Sequence, residues 1–132
     1  MHINKIHKID GVNLAKQLSG KLNSKRENSF LMHFPHEHRH SYFTSYRLDD
    51  WKVIYNYLPN IKTKHRKKAV KQYQLFNLAT DPTESKNIAS SRPKELSRMM
   101  KLMISKLEAQ NAQYPIDKQG ETLKPILPIT SL

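Results

Sequence analysis

The stretch that decides the fold is QYQLFNLATDPTESKNIA, which runs from Gln72 to Ala89. Its first part, up to Leu78, is rich in aromatic and aliphatic residues, which is typical of a short β-strand. Asp81-Pro82 then predicts a turn, because an Asp side chain accepts hydrogen bonds from nearby amides and Pro restricts the backbone. The stretch therefore predicts a strand that ends in a turn and leads into a helix.

A long amphipathic helix is predicted after this turn. Ser91 or Arg92 occupies the cap position, and Pro93 lies in the first turn, where proline is favoured. An apolar stripe recurs at three- and four-residue steps: Leu96, Met99, Met100, Met103 and Leu107. Tyr114-Pro115 is predicted to end the helix. The remaining tail, residues 115–132, has no period and is predicted to be extended or disordered.

Three further strands are predicted upstream. SFLMHF is a short apolar run that Pro35 stops, and the runs 41–48 and 51–58 flank Asp49-Asp50 at hairpin spacing. Within the last run, one face carries Trp51, Val53, Tyr55 and Tyr57. The predicted fold is α+β: a small antiparallel sheet of about four strands, with one long C-terminal amphipathic helix packed on one face.

Composition narrows the class of protein. The 132 residues suit one domain, the absence of Cys excludes disulfides and thiolate metal sites, and no apolar run is long enough for a membrane span. The first residues lack the apolar core of a signal peptide, and the compartment stays open. The net charge is +12, with fifteen Lys and Arg against five Asp and Glu before position 81, and eight against six from there on. Such a field attracts polyanions.

Four stretches together resemble the C-terminal part of the sulfatase family. HFPH (33–36) is similar to H-[YF]-P-H, and YRLDDWKVI (46–54) is similar to R-x-G-D-W-K-[LV]-I, with Asp49 at the usual Gly position. IDGVNL (9–14), with Gly20, is similar to D-G-x-[DS]-L…G. The deciding stretch matches the strand and turn of the family at Leu75, Phe76, Asn77, Leu78, Asp81, Pro82, Glu84, Asn87, Ile88 and Ala89. The resemblance covers about residues 9–114.

The resemblance implies a function, and it also implies that the catalytic part of that family is missing from this chain. Sulfatases hydrolyse sulfate esters with a formylglycine, made from Cys or Ser in a C/S-x-P-x-R motif, and with a calcium ion, both in a large N-terminal domain. This chain has no Cys and no Ser-x-Pro-x-Arg. We therefore expect a sulfatase-like C-terminal subdomain at 30–114, after a lead segment at 1–29, with no catalytic residue and no cofactor of its own. Alone it is predicted to be inactive. Its implied partner is the missing catalytic domain, docked on an exposed apolar patch, or a second copy that hides the patch by self-association.

The histidines are the candidate substrate-binding residues. The resemblance implies that His33 and His36 lie beside the mouth of the catalytic pocket, where they could donate to a sugar hydroxyl or pair with an anionic group. His36, His38 and His40 could instead hold zinc, copper or nickel if they alternated along a strand. Pro35 favours a loop, so we interpret His38 and His40 as surface histidines.

A basic run offers an alternative function. Lys62, Lys64, Arg66, Lys67 and Lys68 could grip a sulfated glycan or a phosphate backbone. Such a run is more often a solvated loop. The alternative to the sulfatase hypothesis is thus a free-standing basic module that binds nucleic acid or sulfated glycan.

Overall fold

The computed structural model describes residues 12–22, 27–36, 42–60 and 68–129. The elements in chain order are α1 (Ala15–Leu18), β1 (Ser29–Phe34), β2 (Phe43–Leu48), β3 (Trp51–Asn56), β4 (Tyr73–Asn77) and α2 (Pro93–Ala109). The strands form one antiparallel sheet in the order β1-β2-β3-β4, and α2 packs on one face of it. The predicted α+β fold is confirmed. The four-residue helix α1 was not predicted.

The core lies between α2 and one face of the sheet. The strand register places Leu31, Tyr46, Val53 and Leu75 in one row across the four strands. The predicted apolar stripe of α2 is buried against this face. Because burial of one Leu or Met side chain contributes about 1.5–3 kcal/mol, this contact supplies much of the stability of the fold.

The helix α2 ends earlier than the sequence predicted. Asn111 adopts a left-handed backbone conformation with φ 50°, which only Gly and Asn enter easily. The amide of Asn111 donates to the Glu108 carbonyl at 3.0 Å, and the amide of Ala112 donates to the Leu107 carbonyl at 3.0 Å. These two bonds form a Schellman motif, so the predicted end at Tyr114-Pro115 is wrong and the helix ends at Ala109.

The predicted hairpin joins β2 and β3 through Asp49 and Asp50. Asp49 has φ 52°, a left-handed conformation at the first position of a two-residue turn. Gly favours this position because it has no Cβ. Asp49 therefore carries backbone strain at the place where the resembled motif has Gly.

The predicted turn after β4 is held by its own side chains. The Asn77 side-chain oxygen accepts from the Ala79 amide at 3.1 Å, and the Asp81 carboxylate accepts from the amides of Ser85 and Lys86, both at 3.0 Å. These amide bonds hold the pKa of Asp81 below its ordinary value. Asn77 and Asp81 thus fix the turn that Asp81-Pro82 predicts.

Residues after α2 pack back onto the sheet. Ile116 and Thr122 form an isolated antiparallel bridge, and the Leu123 amide donates to the Pro115 carbonyl at 2.8 Å. Further along, the Tyr73 hydroxyl donates to the Ile126 carbonyl at 2.8 Å. The described part of the tail, as far as residue 129, is thus tied to β4 although it contains no helix or strand element.

Candidate functional site

The strand β1 has an unusual alternation of exposed and covered residues. Leu31 and His33 face α2 and are half-buried, whereas Phe30, Met32 and Phe34 point to the opposite face with 62%, 39% and 41% of their surface exposed. The more apolar set of side chains therefore lies on the solvent side. Strands of small sheets normally place the more apolar set toward the core, so this inversion marks a surface that needs a partner.

The same apolar surface continues onto the neighbouring strands. The register places Met32, Ser45 and Ile54 in one row, and the Phe34 and Phe43 rings stack with their centroids 5.5 Å apart. We call this surface the open face and define it by Phe30, Met32, Phe34, Phe43, Ser45, Arg47 and Ile54. A shallow cleft runs along it toward Leu78 and Glu84.

The charges of the open face lie at one end. Lys52 donates to a Glu84 carboxylate oxygen at 2.6 Å, and the Arg47 Nε donates to the Asp49 carbonyl at 3.0 Å. Glu84 has a left-handed backbone conformation with φ 54° in the turn after β4, where its amide donates to the Asp81 carbonyl at 3.2 Å. Its side chain reaches across to Lys52 of β3. The open face therefore has an uncharged middle and one polar end.

His33 lies on the side of β1 that faces α2. Its Nε2 is 2.6 Å from the Gln113 carbonyl oxygen, and its Nδ1 is 2.7 Å from the Thr44 hydroxyl. Because a carbonyl can only accept, Nε2 carries a hydrogen and donates it. When the ring is neutral, Nδ1 accepts from the Thr44 hydroxyl. Both ring nitrogens of His33 therefore have partners within the chain.

Tyrosines complete the surroundings of this imidazole. The rings of Tyr57 and Tyr114 meet it edge to face, with centroids 6.2 and 5.9 Å away. The Tyr57 and Thr44 hydroxyls are 2.8 Å apart, and since Thr44 already donates to His33, Tyr57 donates to Thr44. Burial raises the pKa of Tyr57 above its ordinary value. This network links β1, β2 and the segment after α2.

The other candidate histidine has a different environment. His36 is exposed and follows Pro35 at the end of β1. His38 and His40 lie outside the described residues, so the hypothesis of a metal site on His36, His38 and His40 stays a prediction.

The calcium ion that the resemblance implies belongs to the large N-terminal domain and not to the part that this chain resembles. Within 12–22, 27–36, 42–60 and 68–129, no group of three or more metal-ligating side chains comes together. Asp81 is bonded to amides, Glu84 to Lys52 and Glu95 to Arg98.

Only one residue of the basic run can be placed. Lys68 is exposed, and Lys62, Lys64, Arg66 and Lys67 lie outside the described residues. No helix in the described ranges combines the length and the apolarity of a bilayer span.

Sequence reasoning missed the role of Asn87. Its side-chain oxygen accepts from the Leu75 amide at 3.0 Å, and its side-chain nitrogen donates to the Tyr73 carbonyl at 3.0 Å. One amide side chain thus bonds to the outer edge of β4 as a neighbouring strand would. The signal was present in the motif, but spacing alone does not show which backbone groups an Asn reaches.

Comparisons with known proteins show that solved structures with a similar fold exist. No protein-family model matches the chain, and no curated protein matches it. Among solved structures, 32 chains match, including BT4656 in complex with its substrate, D-glucosamine-2-N,6-O-disulfate. That match has a TM-score of 0.60 and 20% identity, and it covers 83% of this chain. This chain spans 21% of the BT4656 chain, and the likeness shows that the two share a fold over that part.

Proposed function

We propose that this chain is the C-terminal subdomain of a sulfatase-type enzyme, a sulfuric ester hydrolase, and that it is inactive alone. Three findings support the proposal: the four motif-like stretches occur in the family's order, the fold is like part of BT4656, and the substrate of BT4656 carries sulfate groups. In this proposal residues 30–114 are the subdomain, 1–29 lead into it and 115–132 form an extended tail.

The observation that carries the proposal is the inverted alternation of β1. Phe30, Met32 and Phe34 form an exposed apolar surface, which an independent monomer of this size has no reason to keep. A catalytic domain docked on the open face would bury it. The part of the BT4656 chain that has no counterpart here is large enough to be such a domain.

We assign different roles to the two candidate histidines. His36 is exposed at the end of β1, so its imidazole is available to donate to a sulfated sugar. His33 is held by Thr44 and Gln113, so it acts by positioning β1 and the segment after α2. Substrate contact at His33 would require one of these bonds to break.

A ligand titration tests the substrate role. We expect D-glucosamine-2-N,6-O-disulfate, added to the ¹⁵N-labelled chain, to shift the amide signals of His36 and of its neighbour Phe34, and glucosamine without sulfate to leave them unchanged. His36→Ala should abolish the shift at Phe34, and Lys68→Ala should keep it. Shifts that Lys68→Ala removes and His36→Ala keeps would contradict this role.

A second experiment tests the missing catalytic domain. If DNA upstream of the Met1 codon encodes a domain with a C/S-x-P-x-R motif, that domain should bind this chain. Ile54→Asp on the open face should prevent binding, and Leu22→Asp, at a side chain that is 97% exposed, should not. Hydrolysis of an aryl sulfate by the purified chain alone would overturn the proposal.

The basic run favours a second candidate function, a module that binds polyanions. The net charge of +12 and the run that ends at Lys68 predict binding to heparin or nucleic acid that weakens steeply with salt. An absence of binding to heparin at low ionic strength would remove this candidate.

A further inference from the structure

The two edges of the sheet differ in whether their backbone groups have partners. At the β4 edge, Asn87 bonds to Leu75 and Tyr73, and the Ile88 amide donates to the Leu75 carbonyl at 3.0 Å. These contacts satisfy the outward groups of β4 and block the approach of another strand. Closed edges of this kind protect a sheet from pairing with other chains.

The β1 edge lacks such protection in the described part of the chain. There, the backbone hydrogen bonds of β1 come from β2 alone. Its six residues, SFLMHF, contain no Lys, Arg, Asp, Glu or Pro, which are the residues that usually keep an edge from pairing. An uncharged strand rich in aromatic residues is a template for one more strand.

We propose that β1 pairs antiparallel with β1 of a second copy of this chain, so that two four-stranded sheets join into one of eight strands. In the register centred on Met32, Met32 lies opposite its counterpart, and Phe30 lies opposite Phe34 on both sides of the two-fold axis. Opposed residues of an antiparallel pair share a face, so these six side chains form one continuous apolar row on the open side. On the other side, Leu31 lies opposite His33.

Two features of the chain favour a second copy as the occupant. The register is self-complementary, as an isologous interface requires, because on the open side each apolar residue meets an apolar residue. The strand also contains no Lys, Arg, Asp or Glu, although the whole chain carries +12, so the contact on the open side brings no like charges into opposition. The charge elsewhere repels the second copy, and added salt should therefore strengthen the dimer. Polyanion binding would respond to salt in the opposite direction.

The symmetry of Met32 gives a sharp test by sedimentation of the purified chain. The wild type should be a dimer that dissociates on dilution. Met32→Lys and Met32→Glu should each be monomeric, because each places two like charges opposite each other, and an equal mixture of the two should form a dimer again. Leu22→Lys, at a side chain that is 97% exposed, should leave the dimer intact. Circular dichroism checks that each variant is folded.

A second test uses disulfide formation, and it does not require that a variant with a new charge folds. Opposed Cα atoms in an antiparallel pair lie about 4.5–5.5 Å apart, within the range of a disulfide. The chain contains no Cys, so under oxidation Met32→Cys should form one symmetric disulfide-linked dimer, and Phe43→Cys, on the adjacent strand, should not.

Three results would overturn the proposal. The first is a wild type that stays monomeric at all salt and protein concentrations, together with no disulfide at position 32. The second is a dimer that both Met32 variants preserve. The third is a dimer that Ile54→Asp dissociates, since this would place the contact on the open face. None of these outcomes tests whether a catalytic domain docks on this chain. That question is answered by the separate binding experiment that uses the domain itself.

Discussion

Among single residues, Asp49 has the clearest consequence for stability. Its φ of 52° suits Gly, and a residue with a Cβ is strained there by about 1 kcal/mol. The exposed Asn28 amide donates to the Asp49 carboxylate at 3.2 Å, which offsets little of this strain. We expect Asp49→Gly to raise the free energy of unfolding by about 0.5–1 kcal/mol, measured by urea denaturation.

The neighbouring residue provides the matched control. Asp50 has an ordinary backbone conformation, so Asp50→Gly brings no relief of strain and adds flexibility to the unfolded chain. It should lower stability. If both glycine variants lowered the free energy of unfolding equally, this would contradict the claim that Asp49 carries backbone strain that Gly relieves.

Tyr57 gives a prediction for alkaline pH. Burial raises its pKa above the unfolded value of about 10, so the folded state favours the protonated phenol. The stability from this preference is fully present below about pH 10 and is lost as the pH rises above it. Tyr57→Phe cannot ionise, so its stability should fall less steeply between pH 9 and 11, as followed by fluorescence of Trp51 during urea unfolding.

Part of the loss of stability at alkaline pH should remain in Tyr57→Phe. Burial also raises the pKa of Tyr73 and of Tyr114. At pH 7, Tyr57→Phe should lose about 1 kcal/mol, because its hydroxyl no longer donates to Thr44. If the free energy of unfolding fell equally steeply with pH in Tyr57→Phe and in the wild type, Tyr57 would not contribute to the loss of stability at alkaline pH.

At the scale of elements, the closed edge of β4 depends on one side chain. Asn87→Asp keeps the oxygen that accepts from Leu75 but places a second oxygen against the Tyr73 carbonyl in place of a donor. We expect a loss of about 1–2 kcal/mol in the free energy of unfolding, since an acceptor facing an acceptor is unfavourable. Hydrogen exchange of the Leu75 amide should be slower in Asn87→Asp than in Asn87→Ala, because only the Asp variant keeps the oxygen that accepts from this amide. Asn60→Asp, at an exposed loop position, should change stability little.

The sequence predicted the elements well where periodicity and turn residues agree. The bounds of β1 and the start of α2 follow from Pro35 and Pro93, because proline restricts the backbone locally. The sequence did not predict the end of α2 correctly, because Pro115 is the stronger stop signal in a sequence, whereas the left-handed Asn111 already ends the helix four residues earlier. That choice depends on a backbone conformation that a sequence pattern does not reveal.

The site was less predictable than the fold. HFPH placed His33 and His36 together as candidates, but spacing could not show that His33 faces inward to Thr44 and Gln113 and that His36 is exposed. The bond to Gln113 joins residues far apart in the chain, which no local pattern encodes. The alternation of SFLMHF was visible, yet an apolar set is normally assigned to the core, and in β1 that assignment fails.

At the scale of the whole molecule, the tail should contribute to stability. Leu123 is half-buried against the core, and Ile126 accepts from the Tyr73 hydroxyl. A chain that ends at Pro115 should lose about 1–3 kcal/mol in the free energy of unfolding, because it loses both contacts. A chain that ends at Leu127 keeps both and is the control. If the two truncated chains were equally stable in urea denaturation, the contacts of the tail with β4 would be without consequence.

The sequential strand order has a consequence for how the protein folds. Each strand pairs with the next one along the chain, so the sheet needs no long crossover and its loop-closure entropy is small. During synthesis, the β2–β3 hairpin has both of its strands as soon as residue 56 leaves the ribosome, and β4 can join once it follows. The core closes only when α2 has emerged, since the buried faces of Tyr46 and Val53 have no cover until then. We therefore expect the sheet to form in the direction of translation and to depend on α2 for completion.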